Sequence, residues 1–288
     1  MFDSIHITQK LDADPNNKFL QLVVRIVRQA ATEAGVRVNK YGGTERTLFV
    51  AVGGDGTMLE AMRMASSFGG AALGVNLGHL GFLTELSGKH VEYYDTESHM
   101  FLQRKLVRIF KGQGVFEERR SLLTWNSPNG REDIVACNEF SLSAADSDTM
   151  ISYRLNINGV DGGMHRANSV VVATATGSTA YSLSAGGALM FPSLDAFQIV
   201  QVAPMTMTAR PLIVGGDSII RVEVESRTQR LRADGLVVWS EKLQHISPHD
   251  AVHHIAYTFV GGASVRLIHL EGWNYFQVLS TKLGWNRT

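Results

Sequence analysis

Hydrophobic positions in the first third of the chain switch between a strand-like and a helix-like period. Ser4 to Thr8 is a short strand candidate. Asp14-Pro15 follows, an N-cap residue and then a proline suited to the first helical position, where a missing N–H costs nothing. Leu20, Val23, Val24, Val27, Ala30, Ala31 and Ala34 recur at helical spacing, and Gly35 stands where a left-handed C-terminal residue belongs. Thr47–Val52 is a compact apolar run, the pattern of a parallel strand buried on both faces. Gly53 to Gly56 breaks that run, a second helix is predicted from about Met58 to Phe68, and Ala71 to Val75 makes another strand. Strands alternating with helices predict an α/β layer on a parallel, Rossmann-like sheet.

Beyond about Arg104 the pattern changes to short β-rich stretches: Ser121–Asn126, Ile134–Ser143, Ile151–Ile157, Ser169–Ala175 and Ile219–Glu225. Turn signals separate them, at Pro128-Asn129-Gly130, Asn158-Gly159, Gly215-Gly216-Asp217 and Gly261-Gly262. A single helix candidate, from about Ala180 to Met190, interrupts this mainly β region. No internal repeat or low-complexity linker divides the chain.

Composition narrows the class. The 288 residues carry 27 basic and 27 acidic side chains and no Lys/Arg-rich run, which argues against a nucleic-acid-binding face. The one cysteine, Cys137, excludes an intrachain disulfide framework and fits a reducing compartment. Met1-Phe2-Asp3-Ser4-Ile5-His6 has neither the basic nor the apolar region of a signal peptide. No apolar stretch approaches the ~18–20 residues that a membrane helix needs. A cytoplasmic protein without nucleic-acid or membrane partners is the expectation.

Three segments carry candidate chemistry. Gly53-Gly54-Asp55-Gly56-Thr57 lies directly after a buried strand and before a helix, so its backbone can approach a phosphate while N–H groups at the helix start face the anion. Asp55 can bind Mg²⁺ or take a proton from an attacking hydroxyl, the plainer alternative being a helix cap. Asn138-Glu139 closes the apolar run Ile134–Cys137, and an amide beside a carboxylate at a strand end can read a base edge and a ribose hydroxyl together. Alone, the pair is weak evidence and reads better as a simple solvated turn. The third segment, Thr174 to Gly187, is dense in hydroxyls and small residues, with Tyr181 available to cover a planar ligand and a capped helix start as the alternative.

These segments, in this order, resemble the NAD kinase family. The resemblance extends to Gly74-Val75-Asn76-Leu77-Gly78-His79-Leu80-Gly81-Phe82-Leu83-Thr84-Glu85, to Ala209-Arg210-Pro211-Leu212 and to the C-terminal Asn274–Phe276 and Leu279–Trp285, which look most like proteobacterial members. The Gly-Gly-Asp-Gly-Thr loop by itself is shared with diacylglycerol kinases, but their second glycine-rich motif is absent. The resemblance implies an α/β domain over residues 1–103 with 265–288 and a β-rich, NAD-binding domain over 104–264. It implies transfer of the γ-phosphate of ATP to the 2′-hydroxyl of the adenosine ribose of NAD, with Mg²⁺ accompanying ATP. By that resemblance Asp55 would match the catalytic base, and Gly53, Gly54, Gly56 and Thr57 would follow the phosphates, with Asp55 and Gly56 also touching NAD. Asn138, Glu139, Thr179, Ala180 and Tyr181 would hold the adenosine, with Ser184 nearby, and Arg166 and Asn168 would face the nicotinamide end. Homo-oligomers are usual in the family, so a homodimer or homotetramer is expected. A lipid or other small-molecule kinase on the same loop, or a non-catalytic NAD(P)-binding regulator, are the alternatives.

The chain departs from the family pattern in three places. Asn168-Ser169 replaces Asp-Gly, Ala175 replaces a proline, and Pro204-Met205 replaces Pro-His. His245, His249, His253 and His254 would share a helix face, but Pro248 and strand-like flanks argue against that helix and hence against a zinc site. Trp273, Tyr275, Phe276 and Trp285 are expected to pack the tail onto the first domain or a subunit interface.

Overall fold

A computed structural model of the chain describes residues 2–9, 17–78, 81–87, 95–126, 133–145, 149–225, 228–242 and 254–286. In chain order it begins with β1 (Ser4–Gln9), α1 (Lys18–Ala34), β2 (Arg37–Asn39), β3 (Thr47–Val52), α2 (Asp55–Phe68), β4 (Ala71–Asn76), β5 (Leu86–Ser87), α3 (Thr96–Phe110) and β6 (Val115–Ser121). A β-rich stretch follows: β7 (Leu123–Trp125), β8 (Ile134–Ala136), β9 (Glu139–Ala144), β10 (Ile151–Ile157) and β11 (Val160–Thr174). A 3₁₀ turn (Thr176–Thr179) and the one-turn α4 (Tyr181–Ser184) lead to β12 (Ala196–Pro204), β13 (Leu212–Gly215), β14 (Ile220–Glu225), β15 (Thr228–Ala233), β16 (Leu236–Lys242) and β17 (His254–Val260). The chain ends on β18 (Ser264–Leu270) and α5 (Tyr275–Leu283).

Two compact units result, Met1–Arg119 with Val265–Thr288, and Arg120–Ser264. The break expected at 103/104 falls inside α3, so the first boundary moves to 119/120. That helix escaped the sequence reading, although Asp95 caps it, accepting from Glu97 N at 3.0 Å and Ser98 N at 3.1 Å.

The first unit holds a seven-stranded sheet ordered β2-β1-β3-β4-β18-β6, with β5 beside β4. The pairs β1–β2, β1–β3, β3–β4, β4–β5 and β4–β18 are all parallel. Every residue of β3 and β4 is buried, as the unbroken apolar runs predict for a parallel sheet covered on both faces. Helix α1 stops as expected, with Gly35 at φ 72° and its N–H on the carbonyls of Ala31 and Thr32. Its N-cap is Asn17, whose Oδ1 accepts from Leu20 N at 3.0 Å; the cap expected at Asp14 lies outside the described residues. The chain leaves β1 toward β2 on one side and returns to β3 on the other. The C-terminal ends of β1 and β3 therefore form a topological switch point, where open α/β sheets place their ligands. The loop Gly53–Gly54 begins there.

The second unit is an eleven-stranded sheet, antiparallel in each of its measured pairs, ordered β16-β15-β9-β11-β10-β14-β17-β7-β8, with β12 joined to β11 and β13 to β12. Its core gathers Trp125, Tyr153, Phe140, Phe197, Tyr257 and Phe259. Each of the phenylalanines contributes about 1.5–3 kcal/mol on burial. Two expectations need correction. The helix from Ala180 to Met190 is the single turn Tyr181–Ser184, because Gly186 takes φ 84° and the Gln198 side chain binds Ala188 N (3.0 Å), Ala188 O (3.1 Å) and Ser182 Oγ (2.8 Å). The stretch Ile134–Ser143 is two strands, interrupted at Cys137-Asn138.

Candidate active site

In the first unit the buried strand β3 delivers the chain to Gly53, whose N–H donates to the Val75 carbonyl at 3.0 Å. A Cβ at Gly53 would stand 2.3 Å from Thr57 Oγ1, so the turn is too tight for any other residue. Gly54 and Gly56 are exposed and a Cβ on either would meet nothing within 4 Å; their role is to leave open space beside the helix start. Asp55 is the first residue of α2, which starts three residues earlier than the expected Met58. Its side chain is not the helix cap: α2 has Gly54 at the N-cap and no side-chain cap hydrogen bond. The carboxylate is held instead by the segment after β4, with Phe82 N donating to Oδ2 at 2.9 Å and Leu83 N to Oδ1 at 3.2 Å. Among the described residues these two bonds leave about two of its roughly four lone-pair positions available.

That segment is itself locked. Asn76 Nδ2 donates to Thr84 Oγ1 at 3.0 Å, Gly81 N donates to the same hydroxyl at 2.9 Å, and Asn76 Oδ1 accepts from Gly78 N at 2.7 Å. A Cβ on Gly81 would lie 1.8 Å from Asp55 Oδ1. Behind it, Glu85 Oε1 accepts from Leu270 N, and His269 is clasped at 3.0 Å by Glu85 through Nδ1 and by Glu118 through Nε2. His269 also stacks on Trp273 at 4.0 Å, tying the C-terminal tail into this unit.

In the second unit, Asn138-Glu139 occupies the bend between β8 and β9. Asn138 is half-buried, whereas Glu139 is 5% exposed and its Oε2 has no hydrogen-bond partner among the described residues. Burial and, after it, the neighbouring Asp234 charge push the Glu139 carboxyl up to about 7, against a hydrogen bond from the Tyr181 main chain that lowers it. The loop Thr174–Thr179 is knitted to the same bend: Thr174 Oγ1 donates to Cys137 O at 2.6 Å and Thr174 N to Asn138 O at 2.9 Å. A Cβ on Gly177 would stand 2.1 Å from Asn138 O. Thr179 and Ala180 are half-buried and Tyr181 and Ser184 exposed, all on this one loop. Glu139, Tyr181, Ser141, Ser169 and Arg232 line a cavity of about 370 Å³.

Arg166 and Asn168 do not join this group. On β11, residues 169, 171 and 173 pair with Ser143, Ser141 and Glu139, so Arg166 and Asn168 belong to the opposite face of the sheet, where both are exposed. Ser169, in place of glycine, sits in regular strand and not at a positive φ, and its buried Oγ has no partner among the described residues. Met205, in place of histidine, bonds through its N–H to the Arg166 carbonyl at 2.9 Å. The sequence reading passed over Gly81 and Gly177 as site residues, though both stood inside the motifs it used. It also missed Asp234, whose signal was an Asp-Gly pair between two strand-like runs.

Among the described residues no three His, Cys, Asp or Glu side chains are placed to hold a metal ion. His245, His249 and His253 lie outside the described residues. No helix of the described residues is long and apolar enough to cross a membrane.

Comparison with known proteins brings the two halves under one description. The ATP-NAD kinase N-terminal domain matches residues 17–98 and the ATP-NAD kinase C-terminal domain residues 137–253. The chain is 36% identical to the NAD kinase of Photobacterium profundum over 249 residues, covering 85% of this chain and 78% of the relative. It is 32% identical to the NAD kinase of Pectobacterium atrosepticum over 274 residues, covering 92% and 87%. Among solved structures, yeast NADH kinase complexed with NADH superposes with a TM-score of 0.74 at 21% identity, covering 100% of this chain and 89% of the other. An NAD kinase from Archaeoglobus fulgidus in complex with ATP gives 0.69 at 23% identity, covering 98% of each.

Proposed function

The chain belongs to the NAD kinase family, and from that premise we propose that it moves the γ-phosphate of ATP to the 2′-hydroxyl of the adenosine ribose of NAD. One observation carries the chemical part of this reading: a carboxylate, Asp55, oriented by two main-chain N–H groups between glycines that leave open space at a helix N-terminus. In the proposed reaction the ribose oxygen forms a bond to the γ-phosphorus as the bond to the bridging β–γ oxygen breaks. The hydroxyl proton passes to a free lone pair of Asp55, and ADP leaves with the bridging oxygen. Such transfers depend on positioning and charge neutralisation more than on covalent help from the protein.

Gly53, Gly54, Gly56 and Thr57 would follow the phosphates, and Asn138, Glu139, Thr179, Ala180 and Tyr181 would hold the adenosine, with Ser184 beside them. The single carboxylate in the phosphate loop suits a cation carried in by the nucleotide. Mg²⁺ bound mainly through phosphate oxygens, with Asp55 as the protein's contribution, would neutralise charge on the transferring group. Arg166 and Asn168 face away from Glu139, so any contact they make with the nicotinamide end is a separate part of the proposal. A cytoplasmic setting is supported by Cys137 being the one cysteine of the sequence, so that no intrachain disulfide forms. A homodimer or homotetramer is supported by β13, which among the described residues pairs only with β12 and exposes Leu212 and Ile213.

The test is incubation of the purified protein with ATP, Mg²⁺ and either NAD or diacylglycerol. NADP formed from NAD, with no lipid phosphorylated, is the expected outcome. Phosphorylation of the lipid alone would overturn it.

A further inference from the structure

The hairpin β15–β16 turns at Asp234-Gly235, with φ 49° at Asp234 and 81° at Gly235. Positive φ at both central residues is the signature of the tight hairpin turn whose twist matches the flanking strands. Aspartate accepts that conformation better than most residues, yet at some cost, and it persists only where other contacts hold it. Here the contacts run to the substrate-facing bend of the same unit. Asp234 Oδ2 accepts from Cys137 N at 3.1 Å, and Oδ1 accepts from Asn138 N at 2.7 Å and Glu139 N at 3.3 Å. In return, Asp234 N donates to the Glu139 carbonyl at 3.0 Å. One residue thus satisfies every main-chain donor of the break between β8 and β9.

We propose that Asp234 is the positioning residue of the acceptor site: it sets the shape of the Cys137–Glu139 bend and, by its charge, governs Glu139 and so the affinity for NAD. The inference rests on the reading of Asn138 and Glu139 as NAD-binding residues. A strand passing straight through 137–138 would leave no bend, and a bend without Asp234 would leave three buried or half-buried N–H groups to find new acceptors. The electrostatic consequence follows from the same geometry. Glu139 is faced by Arg232 from β15, by Asp234 from the turn after β15, by Tyr181 from α4 and by the Ser141 and Ser169 hydroxyls of the shared cavity; β11 places uncharged Ala173 opposite it. Its raised carboxyl owes part of its shift to Asp234. Removing that negative charge brings Glu139 back toward an ordinary carboxylate, so the bend and the ionisation of its carboxylate are controlled together.

The experiment measures KM for NAD and for ATP from pH 5.5 to about 8.5 in the wild type, Asp234→Asn, Asp234→Ala and Glu139→Gln. Asp234→Asn keeps one acceptor oxygen and carries the test if Asp234→Ala fails to fold. The expected result is a rise in KM for NAD of roughly tenfold or more in Asp234→Asn, with KM for ATP little changed. The inflection in the pH dependence of KM for NAD moves to lower pH in that variant and vanishes in Glu139→Gln. A raised KM at every pH with the inflection unmoved would mean a merely structural turn and overturn the proposal, as would an unchanged KM. If Glu139→Gln leaves KM for NAD and its pH dependence untouched, the assignment of the bend to NAD fails instead.

Discussion

Asp55 and Glu139, the two carboxylates at the centre of the proposed chemistry, are held in opposite ways by their own units. Asp55 receives main-chain N–H groups on both oxygens and stands in a loop with open space around Gly54 and Gly56. Glu139 is buried with one oxygen unpartnered among the described residues, a second carboxylate nearby and its own carboxyl pushed up to about 7. The first arrangement suits a group that must stay oriented while a proton moves. The second suits a group whose hydrogen-bonding need is met by a ligand: a buried acceptor left unsatisfied costs about 1–3 kcal/mol, which a ribose hydroxyl or base donor would offset. The difference also separates the residues that support each carboxylate. A parallel sheet ends every strand on the same side, so the Asp55 site is built from loops after β3 and β4. The antiparallel sheet brings a distant hairpin, Asp234-Gly235, back against the Cys137–Glu139 bend.

The largest effect that would break this comparison is on turnover. Asp55→Asn is expected to lower kcat by at least ~10²-fold while NAD still binds, the scale of a lost general base. Gly81→Ala should produce a loss of the same kind without touching the carboxylate itself, because its methyl would stand where Asp55 Oδ1 now lies. Turnover and calorimetric NAD binding on one preparation check both, and near-normal kcat in Asp55→Asn would remove it from the mechanism.

A middle-sized effect concerns stability and pH. The folded-state Glu139 carboxyl lies at about 7 against 4.5 for the unperturbed group. A raised value means that its contribution to stability is fully present below pH 4.5 and is lost as pH rises through about 7. Thermal melts of the ligand-free protein should therefore show a falling Tm over that window, and Glu139→Gln should flatten the slope. A slope unchanged in the variant would show that Glu139 is not the group responsible.

The smallest effect belongs to Asn168. Had a carboxylate there approached the oxidised nicotinamide, a shift near tenfold in NAD over NADH preference would be the scale. The side chain is exposed on the face away from Glu139, where solvent screens the interaction to less than about 1 kcal/mol. Asn168→Asp is thus expected to change the ratio of kcat/KM for the two substrates by less than about fivefold. A tenfold or greater change would place residue 168 against the ring despite its position on β11.

Much of this was legible from one-dimensional pattern. The apolar run Thr47–Val52 and the break at Gly53 determined a buried parallel strand and a loop-to-helix turn, because burial on both faces and glycine's freedom are properties of a few adjacent residues. Gly35 ended α1 for the same local reason. The positions of Asp55, Asn138 and Glu139 followed from motif order. What remained for the tertiary structure were relations between residues far apart in the chain. Asp55 takes its orientation from Phe82 and Leu83, 27 and 28 positions away, and not from its own helix end. The bend at Cys137-Asn138 exists because Asp234, 96 positions from Asn138, supplies the acceptors that a continuous strand would not need. The strand β11 runs from Val160, well before the predicted start at Ser169, since pairing with β10 overrides the turn propensity of Gly162-Gly163. That same strand decided which face Asn168 takes, for a side chain's direction in a sheet depends on register, and register is set by the neighbours with which a strand pairs.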